Sequence, residues 1–210
     1  MSEIRTLGVI LAGGAGTRVG GADKGLLTVH GVPVVEQVAA ALRPQCDDIL
    51  IVANRHKPNY ARVARVIGDE MPGHAGPLAG IAAALALVVV SEEVAFGDCH
   101  WLLTVPVDCP DFPGDLCQRL REALDADPRS ACAYARDERK VQPLFALYSL
   151  ANGSALLESA RAAAALHGSV LRWHMELEAQ AVDFRDQTAA FHNLNAPEDF
   201  RDYERSHGGT

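Results

Sequence analysis

A long glycine-rich loop near the N-terminus has the residue types of a phosphate-binding site. The loop runs from residue 11 to residue 25 and contains six glycines, Arg18 and Lys24. Glycine lets the backbone approach a phosphate closely and point several N–H groups at its oxygens. Arginine offers a planar fork of donors, and lysine offers a compact charge. The loop therefore indicates an anion site, unless it is a flexible connection with two incidental charges.

Two acidic side chains, Asp69 and Asp108, each follow a predicted strand. Asp108 lies in the segment Pro106-Val107-Asp108-Cys109-Pro110, and Asp69 follows Gly68. A carboxylate just beyond a buried strand is a typical ligand of Mg²⁺, which takes one or two carboxylates together with phosphate oxygens. Each aspartate could instead be a turn or helix-capping residue, and for Asp69 that interpretation is the stronger one.

Neither of two familiar phosphate-binding motifs fits the glycine-rich loop. The P-loop pattern G-x-x-x-x-G-K-[ST] fails because Lys24 follows Asp23 and precedes Gly25. The dinucleotide pattern G-x-G-x-x-G fails because its third glycine would fall at Val19. A dinucleotide-dependent oxidoreductase is therefore only a distant alternative.

The elements that would position these loops alternate between short apolar runs and longer helix-like segments, as in βαβ proteins. The predicted strands cover residues 7–11, 49–53, 66–67, 101–105, 131–135 and 144–148. The predicted helices cover residues 34–42, 78–90, 115–124 and 151–167. The first four strands are apolar on both faces, so we predict a Rossmann-like, three-layer α/β fold: a mostly parallel sheet with helices on both faces. Ligands of such sheets bind at the carboxyl ends of the strands.

The amino-acid composition and the net charge limit the kinds of protein and ligand that the sequence is compatible with. A chain of 210 residues with 49% hydrophobic composition suits one domain, predicted over residues 1–205, with 206–210 as a disordered tail. The net charge of -8 argues against a nucleic-acid partner but allows a small anionic ligand. The apolar runs are shorter than the roughly 20 residues of a membrane span. Five cysteines without a C-x-x-C pair are typical of reduced thiols in a cytoplasmic protein.

Several short motifs together resemble those of the molybdenum cofactor guanylyltransferases, which belong to the wider nucleotidyltransferases. The matching residues, in chain order, are Leu11-Ala12-Gly13-Gly14, Arg18, Gly21-Ala22-Asp23-Lys24-Gly25-Leu26-Leu27, Ala53-Asn54-Arg55, Gly76-Pro77-Leu78-Ala79-Gly80-Ile81, Pro106-Val107-Asp108-Cys109-Pro110, Gln142-Pro143, Asp183-Phe184 and Phe191-His192-Asn193-Leu194-Asn195-Ala196-Pro197-Glu198-Asp199. They span most of the chain, and together they are far more specific than any one of them.

The resemblance implies a reaction and a set of site residues. The reaction is transfer of GMP from GTP to molybdopterin, with release of pyrophosphate and with Mg²⁺ as the cofactor. The residues implied to bind the nucleotide are Leu11, Ala12, Gly13, Gly14, Lys24, Asp69 and Asp108. Arg18, Lys24 and Asp108 would be catalytic, Asp108 would hold Mg²⁺, and Asn193 and Asn195 would lie on the pterin side. The expected partners are the two substrates and proteins that deliver or accept the molybdenum cofactor.

Two positions depart from the family pattern. Val52 stands where many members have asparagine, and Ala196 stands where threonine is usual. The first leaves base selectivity open, and the second weakens the pterin-side assignment. The alternatives are a cytidylyltransferase for the same cofactor, a sugar-phosphate nucleotidyltransferase, and a nucleotide-binding regulator without catalysis. Gly13-Gly14 and Asp23-Lys24 favour the guanylyl branch.

Overall fold

A seven-stranded sheet forms the centre of the computed structural model, which describes residues 5–13, 23–69, 76–90, 98–138, 140–187 and 190–207. Its strands are β1 (Arg5–Leu11), β4 (Asp48–Val52), β5 (Arg65–Ile67), β6 (Cys99–Pro106), β7 (Cys132–Arg136), β8 (Val141–Ser149) and β9 (Gln180–Asp183). A separate hairpin consists of β2 (Thr28–Val29) and β3 (Val32–Pro33). The sheet order is β5-β4-β1-β6-β8-β7-β9, and only β8 is antiparallel to its neighbours. The predicted mostly parallel sheet is confirmed.

Helices cover both faces of the sheet, as predicted. One face carries α1 (Val34–Leu42), α2 (Lys57–Tyr60), α4 (Leu116–Ala126) and α7 (Pro197–His207). The other carries α3 (Pro77–Val90), α5 (Gly153–Ala165) and α6 (Val170–Glu176). Each face has its own apolar core, so the fold has three layers. None of the helices in the described ranges is long and apolar enough to cross a bilayer.

The side chains of β1 alternate between the two cores. Leu7, Val9 and Leu11 pack into the core beneath α3, whereas Ile10 and the following Ala12 pack into the core beneath α1. All five are buried. A strand buried on both faces has no room for an unpaired polar side chain. Polar groups that serve a ligand must therefore lie beyond the end of this strand.

The predicted strands and helices all occur, with ends that differ by at most three residues. The largest difference is in β8, which begins at Val141 instead of residue 144. The elements not predicted from the sequence are the β2–β3 hairpin, α2, α6, β9 and α7. These elements are short or have few buried side chains; in α7 only Phe200 and Tyr203 are buried. Their apolar pattern is therefore too weak to predict them.

The C-terminal helix α7 is anchored beside the loop that follows β6. The ring of His207 stacks on Tyr203 with 4.1 Å between centroids, and its Nε2 lies 3.0 Å from Asp111 Oδ2. Ser206 and His207, which the sequence analysis placed in the tail, are thus helical. Residues 208–210 lie outside the described residues.

Candidate active site

The loops that follow the parallel strands leave the same edge of the sheet. Leu11, Val52 and Pro106 are register partners at the ends of β1, β4 and β6. Backbone hydrogen bonds continue just past those ends, from Ala12 N to Val52 O at 2.9 Å and from Val107 N to Leu11 O at 3.1 Å. The loops that begin at residues 12 and 107 are therefore adjacent, as the strand order requires.

Lys24, Asp108 and Asn195 form a cluster of polar side chains at this edge. The Lys24 ammonium donates to Asp108 Oδ2 at 2.9 Å and to Asn195 Oδ1 at 2.7 Å. About a fifth of each charged side chain is exposed, 19% for Lys24 and 20% for Asp108. Because both charges are largely withdrawn from water yet still reachable, they act more strongly on a bound ligand than exposed charges would. The structure thus brings three of the predicted site residues into direct contact.

The two chain neighbours of Lys24 hold it in place. Tyr60 of α2 is fully buried, and its hydroxyl donates a hydrogen bond to the Asp23 carboxylate. Burial, and then the hydrogen bond with Asp23, raise the pKa of Tyr60 well above its ordinary value, so the hydroxyl remains a donor. A Cβ on Gly25 would lie 2.6 Å from Tyr60 Oη and 2.7 Å from Val107 Cγ2. Residue 25 therefore has to be glycine for the loop to pack this closely.

The segment before α7 lies directly against the loop after β6. The N–H of Leu194 donates to the carbonyl of Asp108 at 2.7 Å, and that of Phe191 donates to the carbonyl of Asp111 at 2.9 Å. These backbone bonds place Asn195 within reach of Lys24. The C-terminal segment is therefore part of the site, although it is 171 residues from Lys24 in the chain.

Asp69 pairs with Asn54 and makes no contact with Lys24 among the hydrogen bonds of the described residues. Asn54 Nδ2 donates to Asp69 Oδ2 at 2.7 Å, and Asp69 N donates to Asn54 Oδ1 at 3.0 Å. These two residues follow β4 and β5, on the other side of β1 from Asp108. The carboxylates of Asp69 and Asp108 thus lie on opposite sides of β1.

The residues at the start of the glycine-rich loop differ in how accessible they are. Leu11 and Ala12 are buried, and the N–H of Ala12 is already bonded to a strand carbonyl. Gly13 is exposed, and a Cβ added to it would meet nothing within 4 Å. Of these three, Gly13 is therefore best placed to present its backbone to a ligand. Gly14 and Arg18 lie outside the described residues.

Asn193 has a buried side-chain oxygen with no hydrogen-bond partner among the described residues. Leaving a buried acceptor unpaired costs about 1–3 kcal/mol, so such atoms often mark a place where another molecule supplies the donor. Asn193 stands two residues from Asn195 on the same segment. The orphaned oxygen therefore fits the predicted role of this segment in binding a substrate.

Val52, which stands where many members of the family have asparagine, lies in the interior of the protein. Its side chain is 2% exposed, and its Cγ1 lies 3.3 Å from the position of a Cβ on Gly80 in α3. Val52 thus points into the core beneath α3. A side chain so placed cannot read a base at the open edge, so any base selectivity has to come from other residues.

The cluster fits a metal that is bound partly by substrate. No group of three or more His, Cys, Asp or Glu side chains that could hold a metal occurs within the described ranges. Asp108 is a hard oxygen ligand, partly accessible, and only its Oδ2 accepts from Lys24. Mg²⁺ commonly takes one or two carboxylates and completes its coordination with phosphate oxygens and water. Asp108 would therefore supply one carboxylate to a metal held in this way.

The sequence analysis missed Tyr60 as a site residue. It lies at the end of a four-residue helix and carries no motif, and its buried hydroxyl meets Asp23 from 37 residues away. Asn54 was noticed only as part of a motif. The spacing of neither residue revealed a partner, because each contact joins two segments that are separate in the chain.

Comparison with known proteins decides the family. The family model described as the MobA-like NTP transferase domain matches residues 8–179. The chain belongs to this family. It is 35% identical over 212 residues to the molybdenum cofactor guanylyltransferase of Photobacterium profundum, covering 96% of this chain and 97% of that one. It is 38% identical over 198 residues to the protein of the same name from Shewanella amazonensis, covering 93% and 94%.

A solved structure agrees with this nucleotidyltransferase in fold. The crystal structure of molybdopterin-guanine dinucleotide biosynthesis protein A from Archaeoglobus fulgidus superimposes with a TM-score of 0.74, at 20% identity, over 96% of this chain and 98% of that one. The predicted family, fold class and enzyme class are thereby confirmed. Nucleotidyltransferases generally use a divalent metal, which agrees with the fit of Asp108.

Proposed function

We propose that this nucleotidyltransferase transfers GMP from GTP to molybdopterin and releases pyrophosphate, with Mg²⁺ as its metal. The observation that carries the proposal is the Lys24–Asp108 pair, 2.9 Å apart at the carboxyl edge of the parallel strands. One partner neutralises phosphate charge, and the other is a metal ligand. The curated relatives that match nearly the whole chain bear the name of this activity.

The reaction requires an anionic phosphate of molybdopterin to attack the anionic α-phosphate of GTP. The attacking oxygen is already ionised near neutral pH, so neither a protein nucleophile nor a general base is needed. The barrier comes mostly from charge repulsion and from misalignment of the two phosphates. The enzyme therefore has to position the substrates and neutralise their charge.

Lys24 and Asp108 share these tasks. Lys24 binds triphosphate oxygens as a point charge, and its direction is set by Tyr60 through Asp23 and by Asn195. Asp108 would hold Mg²⁺, which supplies charge neutralisation at the phosphate oxygens when bound. Arg18 and the backbone of Gly14 are further predicted phosphate ligands, and they remain predictions.

The two sides of the cluster correspond to the two substrates. Gly13 presents its backbone just past the end of β1, and Asp69 with Asn54 lies on the β4 side of that strand. The nucleotide would therefore lie between Asp69 and Lys24, with Leu11 and Ala12 beneath it. Asn193 offers a buried acceptor on the opposite side, which suits a donor group of the pterin.

Pyrophosphate release measured in parallel with GTP, CTP, ATP and UTP tests the proposal. Each reaction contains Mg²⁺ and is run with the molybdopterin-bearing acceptor, with a sugar phosphate in its place, and with neither acceptor. Acceptor-dependent release with GTP alone is expected. Release of pyrophosphate with CTP would indicate instead that the protein is a cytidylyltransferase for the same cofactor. Release with a sugar phosphate but not with molybdopterin would make it a sugar-phosphate nucleotidyltransferase. Tight binding of GTP without release of pyrophosphate would favour the alternative that the protein is a nucleotide-binding regulator without catalysis.

Protein partners and cellular location remain predictions. Proteins that deliver or accept the molybdenum cofactor would dock near the pterin side, around Asn193 and Asn195. The cytoplasmic assignment rests on the cysteine pattern, and all five cysteines are free thiols in the structure. Co-purification with the molybdopterin-bearing acceptor tests the first prediction, and fractionation of cells tests the second.

A further inference from the structure

Asp199 binds the two residues that directly precede helix α7. Its Oδ2 accepts from the N–H of Asn195 at 2.7 Å and from the N–H of Ala196 at 2.7 Å. Asp199 is the third residue of α7, which begins at Pro197. One carboxylate oxygen thus holds the two residues that lead into the helix.

This arrangement is half of a capping box. In the complete motif a serine or threonine before the helix bonds forward to the third residue, while the acid at that third residue bonds back. Ala196 occupies the capping position and has no side-chain acceptor. The backward bonds of Asp199 are therefore the only side-chain restraint that the motif provides here.

The Asp199 carboxylate is well suited to this restraint. The N–H of Ala196, and then that of Asn195, hold the pKa of Asp199 below its ordinary value, so it is ionised at neutral pH. A negative charge in the first turn also interacts favourably with the helix dipole. Hydrogen bonds to an ionised acceptor are among the stronger ones in proteins.

The restraint reaches Lys24 through one intermediate. Asn195, whose backbone Asp199 holds, accepts from the Lys24 ammonium through its side-chain oxygen at 2.7 Å. The same ammonium donates to Asp108 at 2.9 Å. A continuous series of hydrogen bonds therefore runs from the start of α7 to the two charged groups of the site.

We propose that Asp199 is a positioning residue of the transfer reaction. It fixes the backbone of Asn195 so that the side-chain oxygen of Asn195 directs the Lys24 ammonium toward Asp108 and the triphosphate. The proposal rests on the proposed function, because it assigns Lys24 to the nucleotide. Asp199 itself touches no substrate.

Steady-state kinetics of Asp199→Ala test the role, with GTP as the varied substrate. We expect kcat/KM to fall roughly 10- to 100-fold, the range over which groups that orient a functional side chain act. Asp199→Glu keeps a carboxylate at a position where capping boxes use glutamate, so it should retain most of the activity. Glu198→Ala is the matched control, because Glu198 is in the same helical turn, is exposed, and has its nearest cation, Arg201, at 4.0 Å. Equal activity of Asp199→Ala and Glu198→Ala would overturn the proposal.

A double substitution separates positioning from general stability. In an Asn195→Ala background, Asp199→Ala should lower kcat/KM by less than about twofold further, because the connection to Lys24 is already broken. Losses that multiply fully in the double variant would overturn the proposal. Thermal unfolding of all variants identifies any that fail to fold; if Asp199→Ala is one of them, Asp199→Asn takes its place in the comparison, because it keeps the shape of the side chain and removes the charge.

The affinity for GTP, measured by calorimetry, distinguishes this inference from the proposed function. If the wild type binds GTP but releases no pyrophosphate, the proposed reaction fails. The positioning role is then still decided by binding: a weaker GTP Kd in Asp199→Ala than in Glu198→Ala supports it, and equal values overturn it.

Discussion

Lys24 and Asp108 are 84 residues apart in the chain, but the Lys24 ammonium lies 2.9 Å from Asp108 Oδ2 at the edge of the sheet where β6 ends. Their side chains are four-fifths buried. A pair that is withdrawn from water to this extent keeps its geometry and acts through a lower effective dielectric than water. Both charges therefore act more strongly on a ligand bound at this edge than fully exposed charges would.

Asp108→Asn should abolish most turnover while leaving the protein folded. The substitution keeps the shape but removes the charge that would hold Mg²⁺, and losing one preorganised electrostatic group costs roughly 10²–10³ in kcat. Pyrophosphate release with GTP measures the effect, and thermal unfolding checks the fold. Asp125→Asn, on the exposed side of α4, is the control. Mg²⁺-dependent activity near the wild-type level in Asp108→Asn would disprove the assignment.

Tyr60→Phe should weaken GTP binding as well as stability. It removes the hydroxyl that bonds Asp23, and hydrogen bonds to charged groups contribute about 1.5–3 kcal/mol. Urea unfolding and the KM for GTP report the two effects. Tyr148→Phe is the matched control, because that hydroxyl is bonded to His174 in the core beneath α3. Tyr148→Phe should lower the stability and leave the KM for GTP unchanged. If the KM rose in both variants, the loss of the hydrogen bond between Tyr60 and Asp23 would not explain the weaker binding of GTP.

Gly25→Ala should displace the loop that carries Lys24. Its Cβ would come within 2.6 Å of Tyr60 Oη and 2.7 Å of Val107 Cγ2, and overpacking of this kind costs about 1–3 kcal/mol. We expect a lower kcat/KM for GTP together with lower stability. Gly114→Ala, where an added Cβ meets nothing within 4 Å, should be close to neutral. Adding Val107→Ala to Gly25→Ala should restore part of the activity, and no recovery would argue against the steric explanation.

His174 should make the fold sensitive to mild acid. It is fully buried with Nε2 2.8 Å from Tyr148 Oη, its Nδ1 has no partner among the described residues, and burial lowers its pKa to about 4. Because the unfolded chain takes up the proton near pH 6.5 and the folded chain does not, the free energy of unfolding should be highest above pH 6.5. It should fall by roughly 3 kcal/mol between pH 6.5 and pH 4.

Urea unfolding at a series of pH values measures this loss. The wild type and His174→Gln are compared, so that titration of other groups cancels in the difference. The variant should lose less stability on acidification. Parallel pH profiles for the two proteins would show that His174 does not cause the sensitivity.

The α/β class could be predicted from the amino-acid sequence, as could the principal strands and helices and the residue types of the site. Runs such as Leu7–Leu11 and the helix at Val34–Leu42 are local patterns of apolar residues, and burial follows from them directly. Gly25, Lys24 and Asp108 could be singled out because each stands next to a predicted strand or in a loop between elements. Shared motifs then connected these loops to one family.

Which of these groups meet follows from the folded chain and could not be predicted from its sequence. The contacts Lys24–Asn195, Asn54–Asp69 and Tyr60–Asp23 join residues that are 15 to 171 positions apart, and most of these residues lie in loops. Such contacts depend on strand order and on the packing of α7 against the sheet. No local pattern encodes them, because the loops lie together only at the edge of the folded sheet.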